Sequence, residues 1–145
     1  MAPQVKEDSS QAAESEKEGM YIYCIIGTDE KKSFGPIGIG ERKDEVYCLC
    51  HEGIAVVISR SPVTKYPITR KNTIAHQKVL EEVMKNHTVL PVRFCTIAEG
   101  KNGLTPEGRI KRQVLEERHD EFRELLAFMD HKIELGVKAI WTNMD

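Results

Sequence analysis

The sequence predicts an α+β domain, a two-layer sandwich in which a mainly antiparallel sheet is packed by two long helices. Three observations predict it. Runs of β-branched and aromatic residues at 20–26, 45–50 and 54–59 have the length and make-up of strands. The last two runs are separated by Glu52-Gly53, a two-residue hairpin signal. Two longer segments, opening near residues 72 and 105, repeat apolar residues at helical spacing. Helices with one apolar stripe and a sheet with one apolar face bury those surfaces against each other as two layers.

The chain has 145 residues, enough to bury a core without disulfide or metal staples. Its 40% hydrophobic and 30% charged content is that of a folded domain. Residues 1–19 differ: Val5 is their one branched apolar residue, and five acids (Glu7, Asp8, Glu14, Glu16, Glu18) outweigh Lys6 and Lys17. Too little apolar surface is available there to offset ordering entropy, so 1–19 is expected to be a disordered acidic leader and 20–145 a single α+β domain. The formal charge of −2 provides no field for nucleic acid or an anionic membrane. Neither a span of about 20 apolar residues nor a signal-peptide layout is present, which predicts a cytoplasmic protein.

Met20-Tyr-Ile-Tyr-Cys-Ile-Ile26 is apolar on both faces and reads as a central strand. Gly35-Pro-Ile-Gly-Ile-Gly40 then reads as a flexible inter-strand loop; no Gly-Lys-Ser/Thr follows and no helix opens after it, so it is not a phosphate loop. Residues 45–59 form a hairpin, stopped by Pro62 and Pro67. Asn72 or Thr73 caps a helix with Val79, Leu80, Val83 and Met84 on one face. Thr88–Ile97 is extended, and Pro91, which cannot donate to a ladder, directs it to an edge or a bulge. Thr105-Pro106-Glu107 opens the clearest helix, with apolar positions from Ile110 to Ile133. Leu135, Val137, Ala139 and Trp141 alternate as a last strand. The order strand, strand, strand, helix, strand, helix, strand makes a ferredoxin-like βαββαβ variant whose first crossover is replaced or rearranged by the hairpin.

Catalytic signals are weak. Cys24, Cys48, Cys50 and Cys95 lie in apolar stretches and read as packed thiols. Strand pleating sets Cys48 and Cys50 about 7 Å apart, too far for one tetrahedral zinc ion. His51, His76, His87, His119 and His131 are scattered, with no nucleophile, base and orienter in sequence reach. His76 and Arg93 are the candidate contact residues: together they can hold an anion or a partner, and the plainer alternative is a core-edge histidine and an arginine paired with a helix carboxylate. No catalytic residue, metal or cofactor is predicted. RNA stacking on the sheet is disfavoured because the basic-Gly-aromatic signature is missing.

Five segments in order carry a family resemblance: Tyr21–Ile26, Gly35–Gly40, His76-Gln-Lys-Val-Leu80, Leu90-Pro-Val-Arg-Phe-Cys-Thr96, and Glu121–Leu126 joined to Ile133–Lys138. Together they cover residues 20–141 and resemble the N-terminal domain of the gas vesicle GvpF/GvpL family. The resemblance implies a non-enzymatic accessory protein needed for vesicle assembly that binds the small shell protein or other accessory proteins. It also implies a second domain of similar size that this chain does not include. Family members commonly carry Gly at the position of Cys95, so a close backbone approach there is expected to be relaxed. A ligand-binding regulatory α+β module is the alternative function.

Overall fold

A computed structural model of the chain describes residues 17–130. Five strands, β1 (Glu18–Ile26), β2 (Ser33–Gly35), β3 (Val46–His51), β4 (Ile54–Pro62) and β5 (Val89–Glu99), make one sheet. Their order is β2-β3-β4-β1-β5 and every neighbouring pair is antiparallel. α1 (Arg70–Met84) connects β4 to β5. After β5 come α2 (Pro106–Ile110), a π-helical stretch (Lys111–Glu116) and α3 over 119–130.

The helices lie on opposite faces of the sheet, so the two-layer expectation is corrected to three layers. The reason is in the central strands. β1 buries every residue from Met20 to Ile26 and β4 every residue from Ile54 to Ser59, so alternate side chains need cover on both sides. Tyr21, Tyr23, Cys24, Ile26, Ala55 and Val57 pack with Val79, Leu80 and Val83 of α1. Ile22, Ile25, Ile54, Val56 and Ile58 pack with Ile110, Leu115, Phe122 and Leu126.

A ferredoxin-like topology is not shown, although the order of strands, α1 and β5 is the expected one. β4 and β5 are both antiparallel to β1, so α1 crosses between parallel strands that have β1 between them. The helix that a ferredoxin-like unit carries between its first two strands is the crossover that was expected to be replaced. Among the described residues, 27–45 holds only β2 and loops. The expected strand at 134–141 and residues 1–16 of the expected leader lie outside the described residues; β1 itself starts at Glu18, inside the range read as leader.

Two elements differ locally from the sequence reading. α1 begins a turn early, because Thr69 is its cap and accepts from the Asn72 amide at 3.1 Å. The expected single helix over 107–132 opens as its Thr105-Pro106-Glu107 signature predicts. It is then interrupted by the π-helical stretch and a turn at 117–118. Beyond the interruption, Phe122 and Leu126 face the sheet while Leu125 and Phe128 are exposed.

The glycine-rich loop is pinned and not flexible. The Gly38 amide donates to the Asp44 carbonyl at 2.9 Å, and the Ile39 amide donates to the Tyr23 hydroxyl at 2.9 Å. Ile39 itself is buried in the α1-side core. A Cβ on Gly38 would lie 2.7 Å from the Asp44 carbonyl oxygen, which explains the glycine at this close approach.

Candidate functional site

β1 carries a bulge that organises the α1 side of the sheet. Ile22 pairs with Ile58 and Cys24 with Val57, so Tyr23 is an extra residue relative to β4. Tyr21, Tyr23 and Cys24 therefore all reach the core under α1. Toward β5, Ile22 pairs with Thr96 and Cys24 with Pro91. The four residues Val92, Arg93, Phe94 and Cys95 are looped out of an edge strand opposite a single residue.

A hydrogen-bonded aromatic cluster anchors the base of this loop. The Cys95 amide donates to the Tyr21 hydroxyl at 2.8 Å, and the same hydroxyl lies 2.8 Å from Nδ1 of His76. A buried phenol that already accepts an amide directs its own proton to the remaining neighbour. Tyr21 is thus the donor and His76 Nδ1 the acceptor, which leaves the imidazole neutral with its proton on Nε2. The ring of His76 lies 5.7 Å from those of Tyr21 and Tyr23 and 5.6 Å from Phe94. Burial among these rings holds its pKa below the ordinary histidine value.

Cys95 has a φ of +64°, the left-handed conformation that glycine adopts freely. The backbone here retains the shape that a glycine would favour, and a cysteine side chain occupies it. Its Sγ accepts from the Tyr66 amide at 3.3 Å. Ser61 donates to the Pro62 carbonyl at 2.8 Å, so the Tyr66 hydroxyl, 2.7 Å away, donates to Ser61 Oγ. Tyr23 and Ser59, with hydroxyls 2.8 Å apart, complete the cluster. Burial pushes the Tyr23 hydroxyl up to about 12 and also raises that of Tyr21.

The two residues singled out from sequence therefore have different places. His76 is buried and supports the loop through Tyr21, Phe94 and Cys95. Arg93 is exposed on the loop itself, and its backbone carbonyl accepts from Thr96 Oγ1 at 2.7 Å. Among the described residues no hydrogen bond or ion pair joins the two, and Arg93 makes no ion pair with a helix carboxylate. Sequence reasoning missed Tyr21, which joins His76 to the Cys95 amide at the base of the loop. The Tyr-x-Tyr alternation at 21–23 looked like ordinary strand, and the bulge that makes both rings face α1 has no short-range signal.

The cysteines are also closer than strand pleating suggested. Cys48 and Cys50 have sulfurs 4.0 Å apart, each 3.4 Å from the Glu30 carbonyl oxygen. Both thiols turn toward one acceptor. Burial pushes Cys24 up to about 12 and Cys50 to about 11, which favours the protonated, weakly nucleophilic form. Among the described residues no group of three His, Cys, Asp or Glu side chains could hold a metal ion. The histidines are less scattered than the sequence implied: the rings of His51 and His119 lie 5.8 Å apart.

Among the described residues, no helix is long and apolar enough to cross a membrane. The family described as gas vesicle synthesis protein GvpL/GvpF matches residues 19–145. A gas vesicle protein F of Streptomyces sp. (strain CB03234) is 34% identical over 102 residues, covering 70% of this chain and 40% of that protein. The gas vesicle protein F of Nostoc sp. (strain PCC 7120) is 30% identical over 125 residues, covering 85% of this chain and 48% of the relative. The chain thus spans half or less of the length of these curated relatives. The crystal structure of the gas vesicle protein GvpF from Anabaena sp. PCC7120 superposes with a TM-score of 0.60 at 26% identity, covering 76% of this chain and 44% of that one. GvpF from Microcystis aeruginosa shares the fold at a TM-score of 0.55 and 24% identity, over 75% of this chain and 43% of that one. The Tyr21–Ile26 strand, the pinned glycine loop and the Pro91–Thr96 loop all fall inside the matched stretch, and the chain belongs to the GvpL/GvpF family of gas vesicle proteins.

Proposed function

We propose that this chain serves gas vesicle formation by binding other vesicle proteins, the small shell protein first among them, and that it does no chemistry of its own. Its place of action is the growing vesicle in the cytoplasm. Family membership supports the process, and one structural observation supports the mode: Arg93 is held out from a sheet edge on a four-residue loop whose base is tied into the core. A rigid base limits the entropy lost when the exposed guanidinium meets a carboxylate, and arginine in such a position is a frequent interface anchor.

Pairing along the sheet edges is a poorer mode of binding. β5 is interrupted by Pro91 and by the loop, and β2 has only three residues. The exposed apolar side chains of the α1 region, Ile68, Ile74 and Met84, supply apolar area instead; Ile68 is 86% exposed.

The test is capture of purified shell protein by the immobilised chain. Wild type is expected to retain it and Arg93→Glu to lose most of the retention, with an unchanged melting temperature. Failure of both this chain and a full-length relative to retain the shell protein would count against the reading. A strain deleted for the gene is expected to lack vesicles.

A further inference from the structure

We infer that His119 is a pH-sensitive latch, which holds the start of α3 on the turn between β3 and β4 more firmly in its protonated form than in its neutral form. Both ring nitrogens of His119 meet groups that can only accept. Nε2 lies 2.7 Å from the backbone carbonyl of Glu52, and Nδ1 lies 3.1 Å from Oδ1 of Asp120. A neutral imidazole has one N–H and satisfies one of them; the imidazolium satisfies both.

The titratable groups facing this ring come from three places. His51 at the end of β3 packs edge-on at 5.8 Å, with its own Nε2 3.7 Å from the Glu52 carboxylate. Glu52 is on the turn, and Asp120 is on α3. The adjacent Arg118 is turned away: it holds Glu121 at 2.7 Å and covers the Phe122 ring at 4.4 Å. The two carboxylates and the carbonyl favour the cation, and the pKa of His119 is accordingly raised, chiefly through the Glu52 carbonyl.

What the latch holds is an apolar seam. Phe122 and Leu126 are buried against the sheet, and the turn at 117–118 separates α3 from the π-helical stretch before it. The other end of α3 is tied by a bond without a histidine, Thr88 Oγ1 to Asp130 at 2.7 Å. Weakening of the His119 contacts therefore loosens the leading end selectively. The sign follows from linkage: a raised folded-state pKa gives stabilisation that is complete below the ordinary histidine value and lost as pH rises through the folded value.

Amide hydrogen exchange of the whole chain, corrected for the intrinsic pH dependence of exchange, tests this between about pH 5.5 and 8.5, either side of the ordinary histidine pKa. Protection over 117–126 is expected to fall in one step whose midpoint lies above that of free histidine, with α1 unaffected across that step. Each unit of elevation is worth about tenfold in the opening equilibrium. His119→Gln should remove the step and His51→Gln should keep it. Asp120→Asn, which retains the histidine and covers the case of a misfolded His119 variant, should move the midpoint down. A flat wild-type profile, a step that survives in His119→Gln, or an unmoved midpoint in Asp120→Asn would overturn the latch.

Discussion

Tyr21 shows how one hydroxyl can settle the state of two neighbours. It accepts from the Cys95 amide and donates to His76, each at 2.8 Å, so removing the oxygen strands a half-buried donor and a buried acceptor together. Tyr21→Phe is expected to cost about 1–3 kcal/mol, because unpaired buried polar groups retain the full desolvation penalty; the urea midpoint measures it. Cys95 is the opposite case. A non-glycine residue at φ +64° is strained by about 1 kcal/mol, and its sulfur contacts are weak acceptors and donors. Cys95→Gly is therefore expected to be neutral or to stabilise by up to about 1 kcal/mol, against the usual cost of a new glycine. A clear loss in the melting curve would mean that the sulfur contacts to Tyr66 and Thr64 outweigh the relieved strain.

At the scale of the element, the loop over 36–45 does the work of a core segment. Ile39 is buried, and Gly38 sits where a side chain would collide with the Asp44 carbonyl at 2.7 Å and with Ser59 Oγ at 3.1 Å. Gly38→Ala is expected to destabilise by about 1–3 kcal/mol, the usual cost of forcing an extra carbon into a packed site, read from thermal unfolding. Composition alone pointed the other way, since a Gly-Pro-Ile-Gly-Ile-Gly run looks mobile, and only the long-range bond from the Ile39 amide to Tyr23 fixes it. Strands β1, β3 and β4 were legible because β-branched runs and an Glu52-Gly53 turn are local signals. So was the opening of α2, where Thr105, Pro106 and Glu107 act within one turn. The π-helical stretch was not legible: Ile110 to Ile133 has continuous helical periodicity, and it is packing of Leu115 and Phe122 on one sheet face that selects the break.

For the molecule as a whole, the two-sided burial of β1 was visible in its unbroken apolar run, yet the sequence reading still placed both helices on one face. Periodicity reports which stripe of a helix is buried and is silent on which side of the sheet receives it. The three layers put His76 and His119 in separate layers, with opposite electrostatic surroundings. Burial depresses His76, so its contribution is complete above the ordinary histidine value and is lost as pH falls through the folded value. His119, raised by the Glu52 carbonyl and Asp120, contributes below the ordinary value and loses that contribution as pH rises. Stability should therefore peak near the ordinary histidine pKa, about 6.5, and decline on both sides. The lowered carboxyl of Glu18 beside Arg42 acts only further into the acid range. His76→Gln should flatten the acid arm and His119→Gln the alkaline arm, each leaving the other intact, since distant sites without shared partners act additively. Chemical denaturation across pH measures both arms, and a single substitution that flattened the two together would show that the layers unfold through one shared titrating network.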